Sequence, residues 1–245
     1  MTKGDGGVDV RLDKLLSECK IASRSEAAKA CRGGLVTVNG QVAKKSDLHV
    51  DPEKDVVCFR GVEVEYRKFV YIMMNKPDGY ISATEDGRDP VVTELLPEKY
   101  QGMGLFPCGR LDKHTLGLML LTNDGVLSHK LLAPKSHVTK SYGFTVRFPL
   151  SEEDLQRLEA GVDIGDYVTK PCRVELRSPT EGVIFITEGK YHQIKRMMEA
   201  VNNRITALER LTFGPLTLDP ALERGEWRML TPEEERALNE SPKKE

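Results

Sequence analysis

The chain has 245 residues, 39% of them hydrophobic and 30% charged, with a formal net charge of -2. That length holds one large domain or a small one beside a medium one, and the apolar fraction is enough for a packed core. A near-neutral balance argues neither for nor against a nucleic-acid partner, and no apolar run approaches the roughly 20 residues that span a bilayer. Residues 1–9 are polar and Gly-rich, without the charged-then-apolar order of a signal peptide. Five scattered cysteines (Cys19, Cys31, Cys58, Cys108 and Cys172) form no C-x-x-C pair. They point to reduced thiols rather than a disulfide frame or a zinc site. The expectation is a soluble, cytoplasmic protein with no membrane partner.

Residues 1–9 read as a disordered tail. Leu12, Leu15, Leu16 and Cys19 then recur at helical spacing and leave Arg11, Lys14 and Glu18 outside. Ser23-Arg24-Ser25-Glu26 is a capping-box pattern opening a second short helix, which Gly33-Gly34 ends. Residues 35–38 and 41–42 flank Asn39-Gly40, the preferred pair for a tight hairpin. A second hairpin, around Arg60-Gly61, closes the unit. Between Val10 and Lys45, eight Lys or Arg stand against three acids. This surplus reads either as a phosphate-facing surface or as solvated helical faces. Over residues 10–57 the two helices and the Val-x-Val-Asn-Gly hairpin resemble the alpha-L RNA-binding module of a small-subunit ribosomal protein. The resemblance, with Arg24, Lys29 and Arg32 on one helix, and the basic surplus that adds Arg11, Lys14, Lys44 and Lys45 together give the expected RNA contacts, where phosphates and shape are read rather than base edges. The module is expected over 10–59, with 60–68 as a charged linker.

Residues 69–74 form a continuous apolar run of strand length, as expected in the middle of a sheet. Asn75-Lys76-Pro77-Asp78-Gly79 reads as a turn, with Lys76 either a phosphate contact or a plain turn lysine. Leu105-Phe106-Pro107 enters a loop carrying Arg110 and Asp112. A buried strand over 118–121 follows and stops at Asn123-Asp124-Gly125. Residues 125–132 read as a helix before Pro134. Residues 140–148 alternate as a strand, with Tyr142, Phe144, Val146 and Phe148 on one face. Ser151-Glu152-Glu153-Asp154 opens a helix that runs to Gly161. Strands at 173–176 and 183–187 precede a helix with Ile194, Met197, Met198 and Val201 on one face. A strand over 204–213 follows, and Thr231-Pro232-Glu233-Glu234 caps a last helix. Strands outnumber helices without β-α-β alternation. The fold class is therefore α+β: a small N-terminal module, a larger domain over 69–232 with a mixed, mostly antiparallel sheet, and a charged helix and tail over 233–245.

Asp112 is a carboxylate between two cations, Arg110 and Lys113, just ahead of a strand that anchors it. A nucleophile or general base needs such placement, although loops between strands also hold Asp, Arg and Gly without chemistry. None of the five histidines (His49, His114, His129, His137 and His192) stands at metal-ligand spacing. No G-x-S-x-G, P-loop or G-x-G-x-x-G occurs, which argues against hydrolase, NTPase and dinucleotide readings.

Arg110-Leu111-Asp112, then Thr115, Gly117-Leu118 and Leu121-Thr122-Asn123-Asp124-Gly125, resemble the active-site motif of pseudouridine synthases. The match is to the branch that modifies ribosomal RNA. Lys140-Ser141-Tyr142 resembles the second motif of that family, and residues 188–197, Glu188-Gly189-Lys190-Tyr191-His192-Gln193-Ile194-Lys195-Arg196-Met197, resemble the third. Leu116 departs from the pattern where relatives carry a small or hydroxylated residue, a change that touches loop packing more than chemistry.

The resemblance implies an isomerase that breaks the glycosidic bond of a uridine, turns the uracil and rejoins it through carbon, with no metal or other cofactor. It implies Asp112 as the essential carboxylate, adding to the base, adding to the ribose carbon or removing a ribose proton. Tyr142 matches the active-site tyrosine, stacking on the uracil or aiding proton transfer; by spacing alone it is one more core aromatic. Lys195 matches the basic residue that pairs with the aspartate. Lys190, His192, Lys195 and Arg196 crowd a helix start, where the macrodipole disfavours cations unless an anion such as Asp112 or RNA phosphate is near; a solvated basic cluster is the other reading. Arg110 would fill the space of the flipped base or bind its phosphate.

Ribosomal RNA, free or in an assembly intermediate, is the expected partner of a monomeric enzyme. Thr169-Lys170-Pro171 and Ser128-His129-Lys130 lean toward 16S RNA. Gly225-Glu226-Trp227-Arg228 also occurs on the large-subunit side, which keeps 23S RNA as an alternative. A non-catalytic RNA-binding assembly factor is the rival from another class.

Overall fold

The computed structural model describes residues 9–52, 54–64 and 66–241, so most of the N-terminal tail and the last four residues lie outside the described residues. The chain divides into two compact units at Lys68/Phe69.

In the first unit, Val10–Arg11 (β1) leads into helices Leu12–Glu18 (α1) and Arg24–Arg32 (α2). Strands Val36–Val38 (β2), Gln41–Val42 (β3), His49–Val50 (β4), Val57–Phe59 (β5) and Val62–Glu63 (β6) follow. Ser23 caps α2 through the reciprocal bonds of a capping box with Glu26. Asn39 and Gly40 both take positive φ, as a tight hairpin requires, so β2 and β3 pair across them. The sheet runs β3-β2-β5-β6, and β1 pairs β4 separately. Leu12, Leu15, Leu16, Ala27, Cys31 and Val36 pack one core with Val57 and Val64. Residues 62–64 therefore contribute a strand and a buried side chain to this unit, within the stretch read as a linker.

The second unit is built on a nine-stranded sheet. In chain order it comprises Tyr71–Lys76 (β7), Phe106–Pro107 (β8), Leu116–Thr122 (β9), helix Gly125–Leu132 (α3) and Lys140–Val146 (β10). Helix Glu152–Ala160 (α4), Arg173–Ser178 (β11), Glu181–Ile186 (β12) and helix Gln193–Ala200 (α5) come next. Ile205–Phe213 (β13), Leu216–Thr217 (β14), Trp227–Met229 (β15) and helix Pro232–Glu240 (α6) complete it. The order is β11-β12-β10-β13-β9-β7-β15, with β14 on β13 and β8 on β9. The β13–β9 pairing is parallel and the other pairings given for the sheet are antiparallel. This bears out the α+β, mostly antiparallel expectation.

The run in β7 is continuously apolar because both faces of the sheet are covered. Ile72 and Met74 of β7 join Met119 and Leu121 of β9 in one core with Ile194, Met197 and Met198 of α5. Tyr71 and Met73 join Leu118 and Leu120 in the opposite core, with Leu127 and Leu131 of α3 and Leu238 of α6. Period-two alternation thus divides each strand between two cores. One detail differs from the sequence reading: β10 ends at Val146, and Phe148 is 54% exposed rather than on the buried face.

The polar turn after β9 serves the fold. Asn123 accepts the amide of Val70 at 2.8 Å, while Asp124 caps α3 through Leu127 and accepts the Tyr71 hydroxyl at 2.8 Å. Both acid or amide side chains of that turn are thereby spent on tying β7 to the start of α3.

Candidate active site

Asp112 sits on the loop between β8 and β9, and its position is fixed from several sides. Ser82 accepts the amide of Leu111 at 2.9 Å and donates to its carbonyl at 2.8 Å. The amide of Thr115 donates to the Asp112 carbonyl at 3.0 Å, and that of Gly79 to Lys113 at 3.1 Å. At the rim, Lys113 pairs with Asp89 and His114 with Asp78.

Beneath the loop lies Lys76, the last residue of β7, with no exposed surface. Its ammonium donates to the carbonyls of Pro77, Lys113 and Thr115 at 3.1, 3.0 and 2.9 Å. Burial pushes its pKa down to about 8 against the pull of Asp78 and Asp112. Neither sequence reading of this residue holds: it is a buried clamp on the Asp112 loop, out of reach of phosphate and not a turn lysine.

Lys195, in the first turn of α5, donates to Asp112 Oδ2 at 2.7 Å. The Nε2 of His192 stands 3.5 Å from Oδ1 of the same carboxylate. Side-chain exposures of 28% for Lys195 and 27% for Asp112 leave the pair open enough to meet a substrate. Tyr142 is buried on β10 and lines the same cavity as Asp112. That cavity measures about 680 Å³ and includes Arg110, Lys140, Lys190 and Arg210 in its wall, a size suited to a small ligand or nucleotide. A smaller recess shares Asp112 and Tyr142 with it and adds Thr115, Lys195 and Leu208. Asp112, Tyr142 and Lys195 are thus brought together from β9's entry loop, β10 and α5.

The basic residues divide. Arg110 and Lys190 are exposed at the cavity, with Lys190 4.1 Å above the Tyr167 ring. Tyr191 is 68% exposed and stacks on His192 with centroids 3.8 Å apart. Arg196 lines neither cavity; it is held by Asp166 and the Ile164 carbonyl. In the first unit, Arg11, Lys14, Arg24, Lys29, Arg32, Lys44 and Lys45 are all exposed, although Arg11 is paired with Asp13 and Lys14 with Glu18.

Glu188 carries a role that sequence reasoning left unassigned. It accepts the Gln193 amide at 2.8 Å, the Lys170 backbone amide at 3.0 Å and the Tyr167 hydroxyl at 2.9 Å. With Asp112 and Asp166 it places a third carboxylate beside the cation-rich start of α5. Leu116, the departure in the first motif, opens β9 opposite Glu209 and leaves the Asp112 contacts in place. Among the described residues no cluster of His, Cys, Asp or Glu could hold a metal ion, and no helix is long and apolar enough to cross a membrane.

A carboxylate braced by an ammonium beside a nucleotide-sized, cation-lined cavity suits chemistry on a nucleic acid. Comparison with known proteins gives the family. Residues 70–200 match the RNA pseudouridylate synthase model and residues 10–57 the S4 domain. The chain is 48% identical over 236 residues to the RNA pseudouridine synthase YtzG of Bacillus subtilis, covering 94% of this chain and 99% of that one. It is 37% identical over 227 residues to the ribosomal small subunit pseudouridine synthase A of Escherichia coli, covering 92% and 98%. A crystal structure of a pseudouridylate synthase superposes with a TM-score of 0.66 at 35% identity, covering 94% and 99%. The chain belongs to the RNA pseudouridylate synthase family and is an isomerase with an N-terminal S4 module.

Proposed function

We propose that this enzyme converts a specific uridine of ribosomal RNA, in the 16S molecule of the small subunit, to pseudouridine, with Asp112 as the essential carboxylate. The observation that carries the reading is the 2.7 Å contact of Lys195 with Asp112 at the junction of the two cavities. The choice of 16S RNA is supported by the Escherichia coli relative and by a Yersinia pestis relative of the same name, 40% identical over 228 residues.

In the isomerisation the bond from ribose C1′ to uracil N1 breaks, the base turns, and a bond from C1′ to C5 forms. The C5 proton is lost and N1 gains one, so no redox partner is consumed. Asp112 acts at the ribose–base junction, Lys195 holds its orientation and charge, and the Tyr142 ring forms the wall against which the base turns. Pre-set placement of this kind supplies much of a barrier reduction without reorganisation during the reaction. Arg110, exposed at the rim, takes the place vacated by the flipped base or its phosphate. Flipping costs a few kcal/mol, and the S4 module, through Arg24, Lys29, Arg32 and its other exposed cations, provides RNA binding energy remote from the reacting bond.

Tritium release from RNA labelled at uridine C5, with wild type beside Asp112→Asn on 16S and 23S transcripts, tests this. Release from 16S RNA by wild type alone supports the reading. Release from 23S RNA alone moves the target to the large subunit, and release by both proteins removes Asp112 from its role.

A further inference from the structure

Lys140 and Arg210 line the same cavity as Asp112, and the chemistry above gives neither of them a role. Lys140 lies two residues before Tyr142 on β10, and Arg210 is the register partner of Tyr142 on β13. All three line the cavity. Arg210 is only 2% exposed; its Nε donates to the Leu118 carbonyl at 2.7 Å, and Nη2 reaches the Met119 sulfur at 3.9 Å. Lys140 donates to the Val138 carbonyl at 2.9 Å. Both cations sit against one ring, with the Arg210 guanidinium 5.1 Å and the Lys140 ammonium 5.8 Å from the centroid of Phe213.

Among the described residues no carboxylate forms an ion pair with either cation. Of the groups that act on them, the Cys108 thiol is kept neutral by burial, and Glu188 is engaged with Gln193, Lys170 and Tyr167. Burial first, and then the charge of Arg210, push the pKa of Lys140 down to about 8. Two desolvated cations side by side are satisfied by neutral carbonyls and sulfur and have no anion in contact among the described residues, Glu188 acting on Lys140 only at a distance. A structural role explains the Nε bond of Arg210 to β9. It does not explain a second cation beside it, nor the placement of both on a cavity wall. The cavity lining also includes the small residues Gly109, Ala133 and Ser136, which leave room for a ligand group.

We propose that Lys140 and Arg210 form an anion subsite that takes a phosphodiester of the RNA strand next to the target nucleotide. Uracil is neutral until its glycosidic bond breaks, whereas the phosphate brings its charge to the cations from the moment of binding. Such a contact positions the strand and carries no base information. This inference rests on the RNA-isomerase reading of the same cavity, and its test reads binding independently of turnover.

The experiment measures affinity of the full-length protein for the 16S transcript against KCl concentration at pH 7, for wild type, Lys140→Gln and Lys140→Arg. Lys140 is chosen because the deeper burial of Arg210 would confound a fold defect with a binding one. Losing one phosphate contact makes the log–log salt slope shallower by about 0.7 to 0.9. Lys140→Gln should show that change with a several-fold weaker affinity, and Lys140→Arg should restore the wild-type slope. In turnover, the larger loss should fall on KM. Unchanged affinity and slope in Lys140→Gln overturn the subsite. A loss confined to kcat, with slope unchanged, would give the pair to the detached uracil and also overturn it. If wild type binds with the expected slope difference yet releases no tritium, the subsite stands and the catalytic reading fails.

Discussion

The Nζ of Lys195 and the Oδ2 of Asp112 meet at 2.7 Å across 83 residues of chain. The loop before β9 supplies the carboxylate and the first turn of α5 the ammonium, so the pair exists only once the sheet and the helix are assembled. Asp112→Asn keeps the shape of the side chain and removes its charge; turnover should fall by about 10³-fold or more while RNA affinity stays within a few-fold. Lys195→Met should cost about 10² in kcat/KM, because an unbraced carboxylate drifts from its working position. Lys195→Arg, which keeps the charge, should recover most of that. Single-turnover assays beside filter binding distinguish these outcomes, and equal activity of Lys195→Met and wild type would remove Lys195 from the site.

Lys76 has a pH signature of its own. Its folded pKa, about 8, lies below the ordinary lysine value of 10.5. Between those values the unfolded chain binds more protons than the folded one, so the contribution of Lys76 to stability rises with pH from about 8 to 10.5 and is flat below. Lys76→Met loses three ammonium-to-carbonyl bonds and should be destabilised at pH 7 by about 2–3 kcal/mol. The stability gap between wild type and Lys76→Met should widen as pH rises from 8 to 10. Urea unfolding of both proteins at each pH checks this, and a gap that stays constant or narrows would refute it.

The α+β class was legible because apolar spacing survives in one dimension, whereas the three motifs and the Asp112–Lys195 pairing were legible only through the family resemblance; helix-start crowding by itself called for an anion without choosing Asp112 over RNA phosphate. The Ser23 and Thr231 capping boxes were equally local and formed as read. Lys76 was not legible. It ends an apolar strand and precedes Pro77-Asp78-Gly79, which locally spells a turn; two of its three carbonyl partners are contributed by Lys113 and Thr115, far along the chain. Arg210 was hidden likewise, since a charge within a strand normally marks a solvent face, whereas here β9 closes over it through the Leu118 carbonyl. Strand β15 escaped notice because three residues show no alternation; its pairing with β7 alone defines it.

Gly117 marks a close approach of two strands in the catalytic unit. It has φ +95°, and a Cβ there would stand 2.3 Å from the Arg210 carbonyl oxygen and 2.9 Å from its amide nitrogen. This is where β9 and β13 pair in parallel, with backbone rather than a yielding side chain in the way. Gly117→Ala should therefore cost about 2–5 kcal/mol from backbone strain and overpacking together. Gly125, at the start of α3, has nothing within 4 Å of a Cβ position. Gly125→Ala should gain about 0.4–1 kcal/mol by restricting the unfolded chain. Chemical denaturation of the two variants gives opposite signs if this account is right.

Thr115 presents the reverse situation, a group kept at a cost. Its hydroxyl is buried without a hydrogen-bond partner, in the recess shared by Asp112 and Tyr142. An unsatisfied buried hydroxyl costs about 1–3 kcal/mol, so the near-isosteric Thr115→Val should raise unfolding free energy by about 1 kcal/mol. Its backbone carbonyl and amide, which bond Lys76 and the Asp112 carbonyl, are untouched by the change. The loop should therefore keep its shape, and any fall in turnover reports the hydroxyl itself. We expect a fall of about tenfold, equivalent to about 1.4 kcal/mol of transition-state binding, from a hydroxyl held in reserve for the ribose or base. A variant more stable and fully active would show that the hydroxyl serves nothing in the reaction.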